Sequence, residues 1–345
     1  LTNYSFGARA SWELDIWGRL RSAQKAAVNR FLATKEGQAF LVTNLIAEVA
    51  NLYFELCALD EQLSIVQQNV SIQNDALKTV QLEKTGARVT ELAVRRFEAQ
   101  LLKTEGLSYE IRQKLVEVEN RLNFVLGRFP QPIERSCQAT GTILPKTVDA
   151  GIPSELLQNR ADIRQAELEM AAAELDVNVA RAAFYPSLTL TADVGYEAYR
   201  VGQILKTPES LLYSLAGSIT GPFINRREIT AGFYSANAKQ RQAVFAYERT
   251  VLNAFVEVSN AVANVKNITS NAELRAKQVS ALVSSVDIAS MLFSSARADY
   301  TEVLLTQREA LESRFELIET KLRQRQAIVL LYRALGGGWD RESQG

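Results

Sequence analysis

The chain has 345 residues, 39 basic and 39 acidic side chains and therefore no net charge, and it contains no histidine. A zero balance without basic runs lends no support to nucleic-acid binding. Without histidine, the commonest general base and the commonest transition-metal ligand are both missing.

The predicted elements begin with a strand. Over residues 4 to 14, Tyr4, Phe6, Ala8, Ala10, Trp12 and Leu14 face one way, and Ser5, Gly7, Arg9, Ser11 and Glu13 face the other. Such an alternation over about 9 to 11 residues is the length of a membrane-spanning β-strand, and Tyr4 and Trp12 near its ends suit interfacial girdles. All seven prolines fall between Pro130 and Pro222, which leaves residues 1 to 129 and 223 to 345 free of helix breakers. Within the first of these, Leu45, Val49, Leu52, Leu56, Leu59, Leu63, Val66 and Val70 step by four and three. That heptad seam predicts a long helix with a coiled-coil partner. The partner is the return leg, where Ile111, Leu115, Val118, Leu122 and Val125 keep the same rule.

The outgoing leg, residues 22 to 84, would span about 95 Å at 1.5 Å per residue. Its turn is expected near Gly86 to Thr90. The two cysteines, Cys57 in the helical pattern and Cys137 in a loop, make no metal-ligand spacing and read as unpaired or buried thiols. Residues 130 to 153 are expected to be a connector with one short strand. No stretch of about 18 apolar residues is expected to form a transmembrane helix.

A helix is expected from Ser154, as its cap, to Phe184, stopped by Pro186. After the proline the period falls to two: Leu188, Leu190, Ala192, Val194 and Tyr196 share one face. A loop over 199 to 210 leads to a third strand, with Leu211, Tyr213, Leu215, Gly217 and Ile219 on one face and small or polar residues on the other. A polar inner face suits a water-filled lumen. A second hairpin follows, with Val251, Phe255, Val258, Val262 and Val265 outgoing and Leu311, Phe315, Ile318 and Leu322 returning through a turn at Ala296 to Thr301.

The halves repeat. ARVTEL at 87 to 92 matches ADYTEV at 298 to 303, and Tyr4-Ser5 matches Tyr213-Ser214. The expected organisation is a first repeat at 1–129, a linker at 130–152, a second repeat at 153–339 and a tail at 340–345. By the same repeat arithmetic, roughly 60 residues of mature protein, a helix and a strand, are expected to precede residue 1.

Three stretches carry a family resemblance. They are Gly151, Pro153, Ser154, Leu156, Leu157, Arg160, Asp162 and Ile163 followed by Ala180 through Ser187; SWELDIWGRLRS at 11 to 22; and ALGGGW at 334 to 339. Together they resemble the outer-membrane factor family, the channel subunits of bacterial tripartite efflux pumps, and most nearly the branch that serves RND-type proton-driven exporters. The resemblance implies a mainly α-helical homotrimer whose coiled-coil hairpins form a periplasmic α-barrel. Its strands would contribute to a trimeric twelve-stranded β-barrel in the outer-membrane lipid of a Gram-negative bacterium.

It further implies a passive conduit, with no catalysis, cofactor or metal, served by a periplasmic membrane-fusion adaptor and an inner-membrane transporter. The lipid-anchor cysteine often found in the family would lie before residue 1. A protein-secretion channel of the same fold is one alternative; a non-membrane coiled-coil scaffold is another.

By resemblance the helix turns form the periplasmic gate, with Thr301, Leu305 and Arg308 facing the pore. Leu305 stands where the family commonly has an aspartate, so three leucines would close the aperture by excluding water. Asp299, Glu302 and Arg308 are expected to pair between helices and hold the closed state. Leu188, Leu190, Val194, Tyr196, Tyr213 and Leu215 are expected to face lipid.

Overall fold

The computed structural model describes residues 3–86, 89–137, 160–221, 225–295 and 297–337. Its elements run β1 (Tyr4–Leu14), α1 (Arg19–Thr85), α2 (Glu91–Val125), α3 (Ala161–Ala182), β2 (Ser187–Ala198), β3 (Leu211–Thr220), α4 (Arg226–Ser294) and α5 (Tyr300–Ala334). They fall into two compact units, one of residues 1–38 and 161–252, the other of 39–160 and 253–345. The expected Ser154 cap, the residues up to Asn159 in that helix, and the short strand within 138–153 lie outside the described residues. Arg160 is described and lies outside the helix, so α3 begins at Ala161 and ends at Ala182, shorter at both ends than the expected span from Ser154 to Phe184. The loop expected over 199 to 210 contains a short 3-10 turn, Val201–Gln203.

The first unit holds an antiparallel sheet in the order β1-β2-β3. Its register sets Leu190 between Trp12 and Gly217, Val194 between Ala8 and Tyr213, and Tyr196 between Phe6 and Leu211. Because side chains alternate with a period of two, this register gathers the apolar residues of all three strands on one face. The other face carries Arg9 ion-paired with Asp193, which also accepts a hydrogen bond from Ser214. Gly7 pairs with Gly195. A Cβ on Gly7 would meet the Val194 carbonyl oxygen at 2.6 Å, so the strands approach more closely there than a side chain permits.

The strand-to-helix joint explains the first motif. Asp15 accepts hydrogen bonds from the backbone N–H groups of Leu20 and Arg21, both at 2.9 Å, and so caps α1. Gly18 takes the left-handed conformation the turn needs, φ 70°. Trp17 stacks on Tyr185 with ring centroids 4.4 Å apart and donates its indole N–H to the Pro186 carbonyl at 2.9 Å.

In the second unit, α2 lies along α1 through the predicted seam. Leu52, Leu56 and Leu122 form one buried cluster, flanked by Val49, Leu115, Val118 and Val125. Leu59, Val66 and Ile111 form the next, and Phe315 of α5 packs on it. At the far end of the seam, Leu45 is exposed.

The second hairpin departs from the expected pattern. Phe255 is 56% exposed, while Ala254, Val258 and Ala261 are buried. The buried face of α4 is thus made largely of alanines, which let helices approach closely but contribute little to a hydropathy pattern.

Helix α1 also contains an 18-residue window long and apolar enough, by composition, to cross a membrane, contrary to the expectation from sequence. The reason is a second set of apolar residues, such as Leu41 and Ile46, that stands off the buried seam and is exposed.

The two halves match in element length: α1 and α4 have 67 and 69 residues, and α2 and α5 have 35 each. Both short helices end the same way. Gly127 and Gly336 adopt φ 68° and 78°, and the next residues, Arg128 and Gly337, donate back to Asn123 and Tyr332 at 2.9 and 3.0 Å. This is the glycine-terminated cap that satisfies the last carbonyls of a helix. Gly338 and Trp339 lie outside the described residues.

Arg160 of the central motif is buried, 6% exposed. It donates to the Ala334 carbonyl at the end of α5 and to Glu257 of α4, each at 2.8 Å, and Arg333 reaches the same carboxylate at 2.8 Å.

The cysteines correct the reading of free thiols. Cys57 and Cys137 form a disulfide, with Cα atoms 5.4 Å apart across 80 residues of sequence. The chain turns back after Gly127, and this brings Cys137 against the middle of α1. Spacing alone carries no sign of that return.

Because Leu56 is completely buried, Leu56→Ala should destabilise the helical unit by about 2–5 kcal/mol. A thermal melt followed by circular dichroism should show the loss as a lowered midpoint.

Candidate functional site at the helix tips

The tips of both hairpins lie in the second unit. The first turn, from Gly86 to Thr90, follows the loss of the α1 seam and ends where Thr90, with extended backbone, precedes α2. The second turn ends at Asp299, extended in the same way before α5. The sequence placed both correctly. Arg88 and Ala296 lie outside the described residues.

At this level Leu77, Val80, Ala93, Val94 and Phe97 form a buried cluster within the first hairpin. Phe293, Tyr300 and Leu304 of the second hairpin pack against it. Phe97 is only 3% exposed, so the contact is a true apolar core rather than a surface touch. Arg96 lies over the Tyr300 ring, 6.0 Å from its centroid, at the outer limit for a cation–π contact. The sequence reading reached Arg96, Tyr300 and Leu304 beside the gate residues but not the apolar cluster of the first hairpin on which Tyr300 and Leu304 pack. The cluster's signal was present in the Leu77, Val80, Val94 and Phe97 spacing.

Thr301, Leu305 and Arg308 are all exposed and occupy one stripe of α5, as the four-then-three spacing requires. Leu305, at 44% exposure, is a large apolar side chain left uncovered in the single chain beside a well-packed cluster.

The charges are arranged differently from the expectation. Arg308 pairs with Glu312 of its own helix at 3.8 Å, and Asp299 accepts a 3.3 Å hydrogen bond from Thr301. Glu302 has no ion pair among the described residues. Pairing between helices loses here because residues one turn apart on α5 already sit within reach.

The ion pair across a turn belongs instead to the first hairpin. Lys84, at the end of α1, pairs with Glu91 at the start of α2. Glu91 also accepts from Arg95 at 2.9 Å, and Arg95 reaches Glu98 at 2.8 Å. The hydrogen bond from Lys84, partly opposed by desolvation and assisted by Arg95, holds the Glu91 carboxyl below its ordinary 4.5. The described residues hold no group of three or more His, Cys, Asp or Glu placed to bind a metal ion.

The lipid-facing candidates also share one surface. Val194, Tyr213 and Leu215 are 55%, 79% and 80% exposed, and the register sets them on the face that holds Leu188, Leu190 and Tyr196. Leu188, Leu190 and Tyr196 are partly covered because β2 is the central strand.

The family profile of the outer membrane efflux proteins matches residues 1–128 and 152–337. The chain belongs to the outer membrane efflux protein family. It is 30% identical over 342 residues to the pyoverdine export outer membrane protein OpmQ of Pseudomonas putida KT2440, covering 99% of this chain and 72% of that protein. To the cation efflux system protein CusC of Escherichia coli K12 it is 26% identical over 335 residues, 97% of this chain and 73% of that one. Among solved structures, the outer-membrane channel OprN superposes with a TM-score of 0.90 at 27% identity, over 98% of this chain and 76% of that one.

The fold is accordingly that of the outer membrane efflux channels, which combine an α-barrel with a β-barrel. The chain is an efflux channel of the Gram-negative outer membrane.

A carboxylate whose pKa is depressed in the folded state stabilises that state fully above its unfolded pKa, and the contribution is lost as pH falls through the folded value. Protection against hydrogen exchange across residues 84 to 95, taken relative to the intrinsic rate at each pH, should therefore be unchanged from neutral pH down to the ordinary carboxylate range and fall below it, and Glu91→Gln should show the lower protection throughout.

Proposed function

We propose that this efflux channel works as a passive homotrimeric conduit, closed at its periplasmic end by the helix tips. The observation that carries the reading is the uncovered Leu305 stripe beside the packed tip cluster. In a three-fold assembly the stripe would meet its copies around the axis, and three Leu305 side chains with Thr301 and Arg308 would narrow the aperture and expel water. Asp299 and Glu302 would set the charge around that ring.

Trimerisation is supported by the sheet. Strands β1 and β3 each have one edge without a partner strand among the described residues. Even small barrels need about eight strands. In hydrocarbon each unpaired backbone group costs several kcal/mol, so the edges must be joined to further strands, and closing the barrel would draw strands from several copies. The face with Leu188, Leu190, Val194, Tyr196, Tyr213 and Leu215 would then meet lipid, and the Arg9–Asp193 face would line the lumen. The matching element lengths support an internal repeat of strand, long helix, turn and helix, with the first repeat at 1–129 and the second at 153–339.

Relatives of this chain are named for export of pyoverdine, toluene and cations. Such unlike cargoes on one scaffold support a conduit that does not select them itself, with no catalysis of its own. Selection would rest with an inner-membrane RND-type transporter, joined to the channel by a periplasmic adaptor.

Replacing Leu305 with Ser should raise the leak current of reconstituted channels severalfold at unchanged trimer yield; an unchanged current would remove Leu305 from the pore. A charge on the lipid face costs about 2–4 kcal/mol near the midplane, so Leu190→Lys should abolish trimers seen by negative-stain electron microscopy of detergent extracts. Normal three-fold particles from that variant would mean the sheet faces are inverted.

A further inference from the structure

Segment 131–137 is a strap that lies back along the first hairpin. Its Gln131 carbonyl accepts from Asn123 at 2.8 Å, and Asn123 is completely buried. Ile133 packs into the Leu52–Leu56–Leu122 cluster, and its N–H donates to Glu119 at 2.7 Å. Arg135 pairs with Asp60 at 2.8 Å and with Glu119 at 3.3 Å, and the Ser136 N–H donates to the Tyr53 hydroxyl at 3.2 Å. The strap ends in the Cys57–Cys137 disulfide. Gln131, Ile133, Arg135, Ser136 and Cys137 are thus each tied to α1 or α2, and the last tie is covalent.

We propose that Cys57 and Cys137 are an oxidation site, closed during maturation by a thiol–disulfide oxidase, and that the bond clamps the strap to the hairpin. A protein of the outer membrane folds in an oxidising compartment, where such bonds persist. Cys57 is buried in the finished structure, 3% exposed, whereas Cys137 is partly accessible. The order of events follows from that difference. The Cys137 thiolate attacks the enzyme's disulfide, and one enzyme sulfur leaves as a thiolate. The Cys57 thiolate then attacks the Cys137 sulfur of the mixed disulfide and releases the enzyme's second sulfur. Two thiols lose two protons and two electrons, and the enzyme's disulfide is reduced to a dithiol. The hydrogen bonds of the strap hold Cys137 against α1 for the second step. The bond serves the fold of the shaft and does not depend on which residues form the gate.

The test uses full-length channel extracted from the outer membrane. In denaturant, a maleimide-polyethylene glycol should add two labels after reduction beyond any taken without it, a gain absent from Cys57→Ser with Cys137→Ser; a wild-type chain that gains none would overturn the assignment. On assembled wild-type channel, reduction followed by alkylation should speed tryptic cleavage after Arg135 about tenfold, because releasing the last tie lowers the cost of local opening. An unchanged rate would overturn the clamp. Cys57→Ser with Cys137→Ser should show the fast rate with and without reductant. If that variant fails to assemble, the reduced wild type still decides.

Discussion

Backbone pairing in a medium without water is the constraint on which the rest of this chain depends. The three strands present one apolar face, and their two outer edges have donors and acceptors with no partner strand among the described residues. In lipid those groups can be satisfied only by other strands. On the proposed reading several copies share one barrel, and exposed residues such as Tyr213 and Leu215 then meet lipid rather than being defects of packing. The sharp joints at Asp15–Gly18 and Tyr185–Pro186 follow from the same constraint. Each must turn the chain from strand to helix while leaving few polar groups unpaired, and each does so with a side-chain cap, a left-handed glycine or an indole hydrogen bond.

In the helical unit the order of effects is different. The seam is apolar from Val49 to Val70 on α1 and gives way at Gln73, which is 3% exposed and leaves its side-chain oxygen without a hydrogen bond. Thr104 of α2 and Ser313 of α5 are buried between the same two apolar clusters along their own helices. Beyond this level the apolar packing resumes in the tip cluster. The polar level breaks one continuous core into a shaft and a tip. Buried polar groups of this kind cost stability when unpaired, so the break weakens the junction relative to the packing on either side.

What was legible in the sequence follows from how much each signal repeats. The strand faces could be read because a period of two over ten or more residues leaves little freedom, and every predicted lipid-facing residue falls on one side of the sheet. The first hairpin could be read because leucine and valine mark its seam. The second was misplaced at Phe255, since Ala254 and Ala261 bury well yet hardly register as apolar. The Cys57–Cys137 bond could not be read, because it depends on where the strap of residues 131–137 is laid along α1. The tip charges were assigned between helices when helical spacing already offered Arg308 a partner in Glu312. Tyr300 and Leu304 were adjacent to the predicted gate residues, but their partner cluster lies some 200 residues earlier. No local pattern reports such a contact.

The tips hold together by apolar contact rather than by charge. The Lys84–Glu91–Arg95 group is largely exposed, and attraction between exposed charges is offset by screening and by the entropy of fixing long side chains. Burying one large apolar side chain such as Phe97 contributes about 1.5–3 kcal/mol, and the cluster buries several with Phe293, Tyr300 and Leu304 laid upon them. The charges therefore orient the first turn, while the cohesion between hairpins comes from water excluded at the cluster. An apolar contact has no strong directional preference, so the second hairpin can slide on the first over short distances without losing a defined hydrogen bond. A ring of ion pairs between hairpins would have fixed them in one register, whereas the ion pairs among the described residues of the tips lie within helices or across a single turn.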